Sequence, residues 1–170
     1  MTRLYVHFGH PEYSDQHLCE SISNILDMRT TIAMATVLDT DSYINTAQFS
    51  YNSSLEMFIF TPPSTQHSRN VDINSSISVA IWEEPSVWGT NLRGLQLWGS
   101  CERVQKLQLV DAITQYSQRF PEFGRLVQHP TDFARGVTDS RFFVIRVDRA
   151  KLLDEPRFGR RNYIELTVRS

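Results

Sequence analysis

The double proline Pro62-Pro63 constrains the fold of this chain more than any other feature. It ends the apolar run Leu55 to Thr61 (LEMFIFT), because neither proline can donate to a strand ladder. A second apolar run, Ile77 to Trp82 (ISVAIW), begins shortly after the polar segment STQHSRNVDIN. Both runs are rich in β-branched and aromatic residues, the pattern of strands. Ser64 and Thr65 are good N-cap residue types, so the polar segment predicts a short helix over Gln66 to Ile73. The first turn of such a helix has free backbone N–H groups, here beside hydroxyls, His67 and Arg69. A strand end that delivers an anion to a helix start points to a phosphorylated cofactor.

The remaining elements follow the same logic. Leu18, Ile22, Ile25 and Leu26 share one face at helical spacing, so His17 to Met28 predicts a helix with Ser14 as its cap. Arg29 to Leu38 and Tyr43 to Tyr51 predict strands, with turns at Asp39 to Ser42 and Asn52 to Ser54. Glu83 to Asn91 is a loop, and Leu92 to Val104 a long strand in which Gly94 and Gly99 mark a bulge or a close approach. Gln105 to Phe120 predicts a helix, Pro121 starts a helical turn, Arg141 to Val147 alternates as a strand, and Tyr163 to Val168 is a last strand. Strands in hairpin order, with helices at the ends and in one interior connection, imply a closed or half-closed antiparallel barrel. Helices do not alternate with strands, which disfavours a doubly wound sheet. The expectation is one mainly β domain over 1–170, with a core at 29–148, a helical cap at 14–28 and a C-terminal segment at 149–170.

At 170 residues, 41% hydrophobic and 21% charged, the chain has the composition of an ordinary soluble domain with one core. A net charge of −2 argues against a nucleic-acid or polybasic membrane partner. Lys106 and Lys151 are the only lysines; the preference for arginine suits phosphate or carboxylate recognition, or reflects genomic base composition. Cys19 and Cys101 lack metal-ligand spacing, as do His7, His10 and His17. The N-terminal MTRLYVHFGHPEY has no apolar signal core and no run is long enough to span a bilayer, so the expected location is cytoplasmic. No nucleophile–base set and no carboxylate pair stands out, so any chemistry would be a cofactor's.

Taken in order, ATV (Ala35 to Val37), FIFT (Phe58 to Thr61), STQHSRNVDIN, ISVAIW and RGLQLWGSCERV (Arg93 to Val104) resemble the FMN-binding split-barrel family, the pyridoxamine 5'-phosphate oxidase-like proteins. The resemblance covers roughly Ile32 to Val104. The tail from Arg119 to Arg161 is more similar to small uncharacterised bacterial members than to the oxidase itself. The resemblance implies a split antiparallel β-barrel that forms a homodimer with FMN between the subunits. It also implies a flavin-dependent oxidoreductase acting on a small molecule, with a non-catalytic flavin-binding dimer as an alternative.

By resemblance, Asn45, Thr46, Ala47 and Gln48 run beside the isoalloxazine and ribityl chain, and Phe60, Thr61, Thr65, Gln66 and His67 surround the phosphate. His67 is either that phosphate contact or a helix cap. Gln96, taken to point inward, serves either the flavin's polar edge or the barrel's own network. The oxidase carries an Arg-Lys pair where this chain has Gln66 and His67, and a basic residue where it has Asn45 or Ser50. Fixed positive charges are thus replaced by neutral or weakly titrating groups. Haem and deazaflavin binders share the fold and stand as alternative ligands. Trp82 and Trp98 are expected in packing, and Trp88 at a lid or ligand contact. Arg157, Arg160 and Arg161 either reach a partner's ligand or form a solvated turn.

Overall fold

The computed structural model of the chain describes residues 2–169. Helix α1 (Asp15–Met28) leads into strands β1 (Thr31–Leu38), β2 (Asp41–Tyr51) and β3 (Glu56–Thr61). Helix α2 (Gln66–Ile73) connects β3 to β4 (Ser76–Glu83), which pairs with β5 (Arg93–Arg103). Helices α3 (Lys106–Arg119), α4 (Pro121–Leu126) and α5 (Thr131–Ala134) precede β6 (Arg141–Asp154). Short α6 (Glu155–Phe158) and β7 (Tyr163–Thr167) complete the order. The sheet runs β3-β2-β1-β4-β5-β6-β7, and a further β3–β6 pairing closes six of its strands into an antiparallel barrel.

Period-two alternation builds the core. Ile32 and Met34 on β1, Ile77, Val79 and Ile81 on β4, and Leu95, Leu97 and Cys101 on β5 all point inward and are buried. Burial pushes the Cys101 thiol pKa up to about 12, so it is a small packed side chain at neutral pH. The β5–β6 register shifts between Trp98 and Gly99, pairing Trp98 with Arg149 but Gly99 with Val147. A Cβ on Gly99 would lie 1.8 Å from the Arg146 carbonyl oxygen, so only glycine allows this approach. The skipped residue, Asp148, is why alternation breaks after Val147 although β6 continues to Asp154. Beyond the bulge β6 changes partner: Arg141 to Arg146 pair with β3, and Arg149 to Leu153 with β7.

The two ends of the barrel are closed differently. At one, α1 inserts Leu18, Ile22, Ile25 and Leu26, and Ser21 Oγ donates to the buried Asp154 carboxylate at 2.6 Å. Each such apolar side chain contributes about 1.5–3 kcal/mol by burial. The extended N-terminal segment adds Leu4, Val6 and Phe8 to this core, with His7 bridged to Arg169. At the other end sits α2, which buries only Val71, Ser68 and Asn70. Outside the barrel wall, α3 and α4 cover a second core of Phe58, Phe142, Val144, Tyr116 and Phe123. No helix among the described residues is long and apolar enough to cross a membrane.

Candidate functional site

Of the residues expected around the phosphate, Thr61, Thr65 and His67 meet at the α2 end, with Gln66 beside them. Thr65 is the N-cap of α2, its hydroxyl accepting from the Ser68 N–H at 3.4 Å. The His67 Nε2 lies 2.9 Å from the Thr61 hydroxyl and 3.1 Å from that of Thr65, so the imidazole joins the strand end to the helix cap. Burial holds the His67 pKa below its ordinary value, which keeps the ring neutral at physiological pH. Gln66 turns back to Asn70, its amide donating to Asn70 Oδ1 at 2.7 Å. Asn70 in turn donates to Thr36 Oγ1 at 3.0 Å inside the barrel, tying α2 to β1. The N–H groups of Gln66 and His67 belong to the first turn and have no intrahelical acceptor. The two first-turn N–H groups fit an anion, and beside them Thr61, Thr65 and His67 form a polar cluster in which the Thr65 hydroxyl also lies 3.0 Å from Pro62 O and 2.7 Å from Ser68 Oγ.

Beside this corner the barrel wall is split. β2 pairs with β1 from Asp41 to Gln48, but meets β3 only at Phe49 to Tyr51. The other side of β2 from Asp41 to Gln48 therefore has no strand partner among the described residues. The Phe49 N–H donates to the Thr30 carbonyl on the β1 side, so the even-numbered residues turn their backbone groups to the open side. Gln48 O is met there by the Tyr116 hydroxyl at 3.5 Å and Thr46 O by the Asn45 Nδ2 at 3.4 Å, whereas the Ile44 N–H and C=O and the Thr46 N–H have no partner among the described residues. Asn45 and Ala47 lie on the inward face, and the Asn45 Oδ1 is buried without a hydrogen-bond partner. An unsatisfied buried acceptor next to an open strand edge is the polarity expected where a polar ligand completes the hydrogen bonding.

No family model and no curated protein matches this sequence. Solved structures do match. A haem-binding protein from Mycobacterium smegmatis superposes with a TM-score of 0.69 at 16% identity, over 87% of this chain and 57% of that one. The chain thus spans little more than half of that protein. HutZ, a haem storage protein from Vibrio cholerae, gives a TM-score of 0.58 at 20% identity, over 75% and 88% of the two chains. An FAD-binding protein from Mesorhizobium loti gives 0.59 at 16% identity, over 76% and 87%. The chain has the pyridoxamine 5'-phosphate oxidase-like split-barrel fold.

The other expected residues of this split barrel are placed apart from the corner. Gln96 points outward and is exposed, because its neighbours Leu95 and Leu97 take the inward positions. The expectation that it points inward is corrected: strand parity leaves the residue between two core leucines no other face. Register nevertheless puts Gln96 and Thr46 in one transverse row of the outer face, Thr46–Ala33–Ala80–Gln96. The next row is Ile44–Ala35–Ser78–Trp98, so small side chains form a shallow floor on β1 and β4. Phe60 turns to the α3–α4 side, its ring centre 5.0 Å from Phe123 and 4.9 Å from Phe142.

The aromatic and basic residues divide in the same way. Trp82, expected in packing, is 58% exposed, because its position opposite Gly94 lies on the outer face. Trp98 is half-buried with the Arg149 guanidinium over its ring, and Trp88 is 96% exposed in the loop before β5. Arg157 donates to His17 O and Glu20 on α1 and so fastens α6 to that helix.

Sequence reasoning missed two features. One is the N-terminal segment, where Leu4, Val6 and Phe8 alternate with Arg3, Tyr5 and His7 as a strand would. A cavity of about 700 Å³ lies between this segment and α1, lined by Thr2 to His7 and by Asp15, Cys19 and Ser23. It contains none of the predicted residues. The second feature is the free edge of β2, for which pairing register leaves no local signal.

Proposed function

We propose that this protein binds FMN at the split, with the phosphate in the Thr61–Thr65–His67 corner and the ring system along the open edge of β2. In this reading it is a homodimer with the cofactor between subunits, and a flavin-dependent oxidoreductase of the cytoplasm acting on a small molecule. One observation carries it: the first turn of α2 and the Thr61–Thr65–His67 cluster stand beside a strand edge on which the Ile44 N–H and C=O and the Thr46 N–H have no partner among the described residues. The likeness to an FAD-binding protein supports a flavin on this fold. FMN would supply the hydride chemistry, while Thr46 and Ile44 offer backbone hydrogen bonds and the β1–β4 floor offers room for a flat ring. The corner and the outer face open to solvent in one protomer, and the exposed Ile44 and Trp82 suit coverage by a second copy.

The test is the visible spectrum of purified protein mixed with FMN and desalted. Retained flavin bands, lost in a Thr65→Ala/His67→Ala double variant that stays folded, are the expected result. Protein that emerges colourless would overturn the reading, and haem and deazaflavin would be tried next. Haem is the second reading, favoured by the haem-binding neighbours. It predicts a Soret band on haem addition that disappears when the ligating histidine is replaced. Against His67 in that role, its Nε2 already faces two hydroxyls.

A further inference from the structure

We infer that Arg141 is the cation that holds the ligand phosphate at this corner, an inference that rests on the FMN reading above. Thr61, Thr65, Gln66 and His67 carry no fixed positive charge of their own. His67 is neutral, and Gln66 stands beside it. A phosphate held only by hydroxyls and helix N–H groups would leave most of its charge uncompensated.

The nearby arginines differ in what they are free to do. Arg69 is folded back on its own turn, donating to Ser64 O at 2.5 Å and Gln66 Oε1 at 3.0 Å. Arg103 is held by Asp72 through two bonds, at 3.0 and 2.5 Å. Arg141 pairs directly with Thr61 across the β3–β6 ladder. Directly opposed residues of antiparallel strands have Cβ atoms about 4.5–5.5 Å apart and side chains on one face. The Arg141 stem thus starts next to the threonine whose hydroxyl contacts His67.

Its guanidinium is also only half used. Nη1 alone donates, to Thr138 O at 3.0 Å and Ser140 O at 2.8 Å, while the group lies 5.7 Å from the centre of the Phe133 ring. Among the described residues Arg141 has no carboxylate partner, and its Nε and Nη2 make no hydrogen bond. The free edge of a planar fork is the part that grips phosphate oxygens two at a time.

The experiment measures FMN and riboflavin affinity by flavin fluorescence for the wild type, Arg141→Gln and Arg141→Lys. Arg141 is exposed, so both variants are expected to fold, and circular dichroism checks this. Arg141→Gln should weaken FMN about tenfold or more and leave riboflavin unchanged, because only FMN carries the phosphate. Arg141→Lys should fall between, keeping the charge and losing the fork. Unchanged FMN affinity in Arg141→Gln, with the wild type still preferring FMN to riboflavin, would overturn the role of Arg141 alone. A wild type that holds neither flavin would overturn the FMN reading and this assignment together.

Discussion

The two helices that close the barrel solve the same problem with opposite chemistry. α1 plugs its end with Leu18, Ile22, Ile25 and Leu26, all essentially inaccessible, and with one buried polar tie from Ser21 to Asp154. α2 plugs the other end with Val71 alone and otherwise with hydrogen bonds: Asn70 to Thr36, and His67 beside Thr61 and Thr65. Apolar contact is non-directional and strong per side chain, whereas a satisfied buried hydrogen bond adds only about 0.5–1.5 kcal/mol but fixes geometry. The α1 end is built for stability and the α2 end for placing donors. The candidate site lies at the second.

The contrast can be broken most easily at α1. Ile22→Ala should cost about 2–5 kcal/mol in urea unfolding, from lost burial and the cavity left behind. A loss well under ~1 kcal/mol would mean that α1 is not the plug its burial implies. At the α2 end, Asn70→Ala leaves Thr36 Oγ1 without its buried partner and should cost about 1–3 kcal/mol. Pairing Asn70→Leu with Thr36→Val removes both polar groups and should recover part of that loss. A double variant costing the plain sum of its singles would show that the two side chains do not act as a pair.

The smallest expected effect is one of pH. The folded His67 has a pKa below the ordinary 6.5, so the unfolded chain takes up a proton first as pH falls. The stability associated with neutral His67 is whole above that ordinary value and declines as pH drops toward the folded one. Urea midpoints should therefore fall between pH about 7.5 and about 5.5, and His67→Gln should flatten that part of the slope. An equal slope in the variant would place the titrating group elsewhere.

Much of this architecture was legible because local chemistry and tertiary structure agree. Pro62-Pro63 ends β3, Thr65 caps α2, Ser14 caps α1, and Gly99 sits at the bulge and close approach its residue type suggested. The grouping of Thr61, Thr65 and His67 at the candidate site was legible because they are near neighbours along the chain. The site was illegible where strands from distant segments set the geometry. Gln96 was assigned to the wrong face because polarity was weighed above the parity fixed by Leu95 and Leu97. The far half of β6 was invisible because one extra residue, Asp148, changes the phase of alternation. Arg141 gave no signal, since its nearness to Thr61 exists only through the β3–β6 pairing.

The open edge of β2 has a second consequence, for colloidal behaviour rather than recognition. An unpaired strand edge is a template for other chains, and natural sheets protect such edges with charge, proline or a cover. Between Ser42 and Gln48 the edge carries no lysine, arginine or proline, and its Ile44 is 72% exposed. A chain whose edge is left bare would be prone to pair with its own copies in extended, non-native arrangements. The cofactor or second subunit proposed for that edge would then also act as a safeguard against aggregation.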